Sequence, residues 1–139
     1  MNARQINLVK STWSIVAQLE PEVVGSLFYT RLLETNPELK AIFHTPVAEQ
    51  SRKLISMISY VINKLDKLES VIDEVKKLAV RHVRYGVEEQ HYAKVGAALL
   101  WTLEKGLSDM WNEEIEAAWI ACYTVLSGAM IQASEYEEV

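Results

Sequence analysis

The residues best suited to chemistry gather around one histidine. Leu78 and His82 stand four apart and share one face of a helix. Gly86 follows four residues later, and glycine suits the left-handed cap that ends a helix. A new helical pattern starts around Glu88 to His91 and carries Tyr92. A histidine on the apolar face of a helix, just before such a corner, has two uses. It can be a hydrogen-bonded core residue, or it can be an axial ligand to haem iron. Cys122 is the one cysteine, with no histidine or cysteine beside it at metal-ligand spacing. In its apolar helical run it reads as a small core residue.

The elements that must position these residues are all helices. Ile6, Val9, Trp13, Val16 and Ala17 have helical spacing and predict a first helix to about Leu19. Pro21 suits the first turn of a second helix, which carries Val24, Leu27, Phe28, Leu32 and Leu33. Asn36-Pro37-Glu38 ends it and opens a short segment to Phe43. After Pro46, a fourth helix runs from about Val47 to Lys64 with Leu54, Met57, Ile58, Val61 and Leu65 as its apolar set. The stretch from Lys64 to Ser70 reads as a solvated connection, and a fifth helix ends near Tyr85. A sixth carries Val95, Leu99, Leu100 and Leu103 and is expected to stop near Gly106. A seventh, from about Asn112 to the early 130s, carries Ile115, Trp119, Tyr123, Leu126 and Met130. Glu113 and Glu114 lie in its first turn, at the positive end of the helix dipole. Nothing alternates with a period of two. The expectation is one all-α domain over residues 1–139, with about seven helices.

Bulk properties narrow the partners. The chain has 19 acidic and 14 basic side chains and a net charge of -5, the wrong sign for a nucleic-acid binder. Met1 to Gln5 lacks the apolar run of a signal peptide, and no stretch approaches the roughly 18 apolar residues of a membrane helix. With the single cysteine, this leads us to expect a reduced cytoplasmic setting, no membrane, and a monomer or weak homodimer.

The order and spacing of five landmarks resemble the globin family along the whole chain. Ser11-Thr12-Trp13 is similar to the first helix of many globins, and Pro37 to the proline that opens their short third helix. Phe43 resembles the phenylalanine that stacks on the haem, His82 the proximal histidine, and Ala117-Ala118-Trp119 with Tyr123 the start of the last helix. Arg81-His82 with Tyr85-Gly86-Val87, and Val95-Gly96 with Leu99-Leu100, are words shared with bacterial single-domain globins, the haem domain of flavohaemoglobins and neuroglobin. Gln50 to Leu54 resembles the methanotroph globin of this group.

The resemblance implies haem b (iron protoporphyrin IX) clasped between two helices, with His82 as the metal ligand. Leu78, Val87 and Val95 then line the proximal side, and Tyr29, Gln50 and Leu54 the distal side. Phe28, Ile42, Phe43, Met57, Ile58 and Leu126 complete the apolar wall, and Lys53 reaches a propionate. Gln50 takes the place of the distal histidine of many globins. Its amide can donate a hydrogen bond to bound dioxygen but ligates iron far less well than imidazole. Tyr29 offers a phenol to the same oxygen. Tyr92 matches a proximal tyrosine that, in flavohaemoglobins, works with a glutamate of the last helix; that glutamate's place falls on Tyr136, which leaves the pair broken or shifted. The implied function is high-affinity dioxygen binding with slow release, with carbon monoxide and nitric oxide as further ligands. A nitric oxide dioxygenase fed by a separate reductase is one alternative, since no flavin or nicotinamide domain follows within the 139 residues. A sensor module acting by protein contact, with or without haem, is another.

Overall fold

The computed structural model describes residues 1–42, 46–70, 76–77 and 89–138, with side chains except at 42, 68–70, 89 and 129–138. Every regular element among them is helical. Among the described residues five α-helices are delimited: α1 (Ala3–Val16), α2 (Pro21–Thr35), α3 (Val47–Asn63), α4 (Glu89–Leu107) and α5 (Glu113–Glu138). Short 3-10 helices join them at Pro37–Ile42, Leu65–Ser70 and Ser108–Met110. No helix of the described residues is long and apolar enough to cross a membrane.

Local chemistry sets most of the boundaries. Asn2 caps α1 reciprocally: its Oδ1 accepts from the Gln5 amide at 2.8 Å, and its own N–H donates to the Gln5 side chain at 3.0 Å. Pro21 opens α2, where its missing N–H costs nothing. Asn36 ends α2 because the residue before a proline is pushed out of the helical region. Asn112 Oδ1 accepts from the Ile115 amide at 2.9 Å and so caps α5. Glu113, Glu114 and Glu116 sit in the first turn of α5, where the dipole favours them.

Two expectations change. The segment after Asn63 is a 3-10 helix, and Leu65 within it is buried in the core while Lys64, Asp66 and Lys67 face water. The last helix continues to Glu138 rather than stopping in the early 130s. Helix α4 ends near Gly106 as expected, at Leu107, and Ser108 after it takes the left-handed conformation with φ of 52°.

The main core joins four of the five helices to α2. Val9, Trp13 and Val16 of α1 meet Ile115, Ala118, Trp119 and Cys122 of α5, with Val24, Ile55, Ile62, Leu65, Leu103 and Leu107 closing around them. The Trp13 and Trp119 rings pack tilted at 60° with centroids 6.0 Å apart. Their polar edges are satisfied. Trp119 Nε1 donates to Thr12 Oγ1 at 3.0 Å, and Trp13 Nε1 donates to Ser59 Oγ at 2.8 Å. Cys122 is buried in this core as expected, and burial pushes its thiol up to about 12.

The left-handed Ser108 yields a prediction. Such a conformation costs a residue with a Cβ about 1 kcal/mol, and glycine escapes it. Ser108→Gly is expected to stabilise the fold by about 0.5–1 kcal/mol, read as a higher urea midpoint at unchanged slope.

Candidate functional site

A second, smaller apolar cluster lies further along α2. Phe28, Tyr29 and Leu32 are buried there with Leu39 of the following 3-10 helix and Ala98 of α4. Leu33, Leu54 of α3, and Val95 and Leu99 of α4 pack against them, half-buried. The buried stripe of α2 therefore serves two clusters along its length, with Val24 in the main core and Phe28, Tyr29 and Leu32 in this one.

Tyr29 is the polar group of the cluster. Its side chain is 7% exposed, and its ring meets that of Phe28 edge to face at 4.9 Å and 73°. Burial raises its phenol from the ordinary 10.0 to about 12, because water is lost to stabilise the phenolate. The hydroxyl therefore stays protonated, and able to donate, throughout the physiological range.

Helix α3 carries the other predicted distal residues. Gln50 is half-buried in its first turn, and its backbone N–H donates to the Pro46 carbonyl at 3.0 Å. Leu54 lies one turn further on and joins the Tyr29 cluster. Met57 is half-buried. Ile58 and Leu126 pack against the main core rather than beside Tyr29. Lys53 is exposed and pairs with Glu49 at 3.4 Å, one turn back on the same helix. Arg52 reaches Glu22 of α2 at 2.5 Å. Exposed pairs of this kind contribute little.

Helix α4 carries Val95 in the Tyr29 cluster and Tyr92, which is buried. The Tyr92 carbonyl accepts a hydrogen bond from Tyr123 Oη at 2.6 Å, which ties the start of α4 to α5. Gly96 makes room for that ring: a Cβ there would lie 2.7 Å from Tyr123 Cε2. Lys94 ties the same helix to Glu38 at 2.8 Å, and this bond holds the Glu38 carboxyl below its usual range. Phe43, Leu78, His82 and Val87 lie outside the described residues, as does the Ile42 side chain. Tyr136 lies within α5, with its side chain outside the description.

The sequence reading missed one contact, where α2 crosses α3. A Cβ on Gly25 would fall 2.1 Å from both Cβ and Oγ of Ser51, and 2.7 Å from its Cα. Only glycine permits that approach. A glycine inside a helical pattern, one turn from a candidate site residue, is the signal that was available. A separate groove of about 430 Å³ lies along the outward side of α2, lined by Val23, Leu27, Arg31 and Trp101 among others. It opens to solvent and shares no lining residue with the Tyr29 cluster.

An all-helical chain with a phenol buried between its second, third and fourth long helices defines a class, and the comparisons agree with it. The chain belongs to the globin family, whose model matches residues 26–130. It is 31% identical over 134 residues to a flavohemoprotein of Vibrio cholerae, a match that covers 94% of this chain and 34% of that protein. The chain thus spans about a third of the length of the curated relatives it matches. Among solved structures it is similar to a bacterial globin from Campylobacter jejuni, with a TM-score of 0.87, 28% identity and 99% of both chains covered. An engineered carbene transferase of Rhodothermus marinus, provisionally named a nitric oxide dioxygenase, shares the fold at a TM-score of 0.86 and 21% identity, covering 99% of this chain and 96% of that one.

Membership implies a haem cofactor. The described residues fit one: an apolar wall from three helices surrounds a single buried phenol, as a flat apolar macrocycle with a polar ligand beside it needs.

The raised phenol also has a measurable consequence. A group whose folded pKa lies above its unfolded value contributes stability that is complete below the unfolded value and lost as pH rises through the folded one. For Tyr29 that window is pH 10.0 to about 12. Between those limits the urea midpoint of Tyr29→Phe is expected to fall less steeply with pH than that of the parent chain.

Proposed function

We propose that this chain binds haem b through His82 and retains dioxygen tightly between Tyr29 and Gln50. The observation that carries the reading is the Tyr29 phenol, held neutral in an apolar cluster that includes Leu54 and Val95. When bound, haem supplies the ferrous iron at which diatomic gases ligate. The chain's own residues do the rest. Tyr29 keeps a hydroxyl proton ready to donate. Gln50 stands one turn before Leu54 on α3, at the edge of the same cluster, and its amide is a second donor. Phe28, Leu32, Leu54 and Val95 exclude water, which strengthens both donors. Each such bond is worth about 1 kcal/mol, more in a dry site, so two slow dioxygen release by about tenfold to a hundredfold.

Tight retention favours scavenging, or oxidation of nitric oxide to nitrate, over delivery. The second activity consumes one electron per turnover, which we assign to a separate reductase. The flavohemoprotein relatives and the name given to the Rhodothermus protein support this reading. We further propose carbon monoxide as a competing ligand and a cytoplasmic protein that is a monomer or weak homodimer.

Reconstitution with haem is expected to give a five-coordinate ferrous spectrum that His82→Ala abolishes. In the reconstituted protein, Tyr29→Phe is expected to speed dioxygen release by about tenfold, measured by stopped flow. Unchanged release sinks the donor role of Tyr29. Nitrate yield above one per haem, with a reductase present, separates an enzyme from a carrier.

A further inference from the structure

We infer that the contact of Gly25 with Ser51 sets the span between Tyr29 and Gln50, which makes Ser51 a positioning residue for the ligand pocket. The inference rests on the role proposed above for Tyr29 and Gln50. Gly25 stands one turn before Tyr29 on α2, and Ser51 directly follows Gln50 on α3. Both donors therefore hang within one turn of a single helix crossing. At that crossing the helices touch with no slack, since a Cβ on Gly25 would lie 2.7 Å from the Ser51 backbone. Ser51 fills the notch with a fixed volume. It is 0% exposed, and its hydroxyl donates to the Val47 carbonyl of its own helix at 2.7 Å, which locks its rotamer.

The side chain at position 51 thus acts as a spacer. Helix α2 cannot absorb a change by sliding, because Val24 is held in the main core and Leu32, fully buried, in the second cluster. A thicker spacer moves the helices apart and carries Tyr29 away from Gln50. Hydrogen bonds weaken steeply beyond about 3.2 Å, so a shift of a few tenths of an ångström at the crossing is felt at the ligand.

Four haem-loaded variants test this: Gly25→Ala, Ser51→Ala, the pair Gly25→Ala with Ser51→Gly, and Tyr29→Phe as reference. Three readouts are needed: the C–O stretching frequency of the carbon monoxide complex, the dioxygen off-rate, and melting of the apoprotein. Gly25→Ala is expected to raise the off-rate about fivefold and to shift the stretch in the direction of Tyr29→Phe. The pair, which moves the Cβ from one helix to the other and drops the hydroxyl, is expected to return both to within about twofold of the parent. Ser51→Ala keeps the fold if Gly25→Ala does not, and is expected to shift the stretch measurably. If Gly25→Ala and Ser51→Ala lower only the melting temperature while Tyr29→Phe moves stretch and off-rate, the contact is structural and the inference falls alone. If Tyr29→Phe moves neither, the pocket assignment falls and takes the inference with it.

Discussion

Helix α2 has to satisfy two apolar clusters at once, and that constraint governs the molecule. Its Val24 belongs with the tryptophans of α1 and α5, while its Phe28, Tyr29 and Leu32 belong with Leu39 and Ala98. A helix held in one cluster can roll or slide at modest cost. A helix whose buried stripe is held in two clusters along its length cannot, because interiors are close-packed and each shift opens a void or forces a clash. The position of the phenol is therefore inherited from the packing of the whole domain rather than from its immediate neighbours.

The polar chemistry of the fold follows the same logic. In the main core each tryptophan edge finds a hydroxyl, Thr12 for Trp119 and Ser59 for Trp13, and no buried side-chain polar atom among the described residues lacks a partner. The ion pairs stay outside. Arg4 with Glu114, Lys10 with Asp66, and Lys94 with Glu38 each join two elements across the surface. Such pairs select an arrangement more than they stabilise it.

How much could be read from sequence depended on the kind of signal. Boundaries set by one residue's covalent nature were legible: Pro21, Pro37 and Pro46 each fall where a helix begins or has just ended. The end of α4 was legible to within one residue from Gly106, but not that Ser108 rather than a glycine would take the left-handed turn after it. Apolar periodicity named most of the buried positions, with Leu27 exposed instead, and could not say which cluster each joins. Ile58 and Leu126, which the resemblance gives to the pocket wall, pack against the main core. Gly25 was overlooked because a glycine inside a helical pattern signals a close approach without naming what approaches. Its meaning appears only when the opposite helix is in place. The histidine and phenylalanine landmarks, His82 and Phe43, rest on spacing and resemblance and on the family to which the chain belongs.

The burial of Cys122 has a practical side. Its thiol is held protonated, far from the state that attacks disulfides or electrophiles, and the core around it admits no reagent. That keeps the one sulfhydryl of the chain out of reach of reactive small molecules in solution. It also gives the chain a built-in clock. A thiol reagent can reach Cys122 only when α1 and α5 part, so its labelling rate counts the openings of the domain.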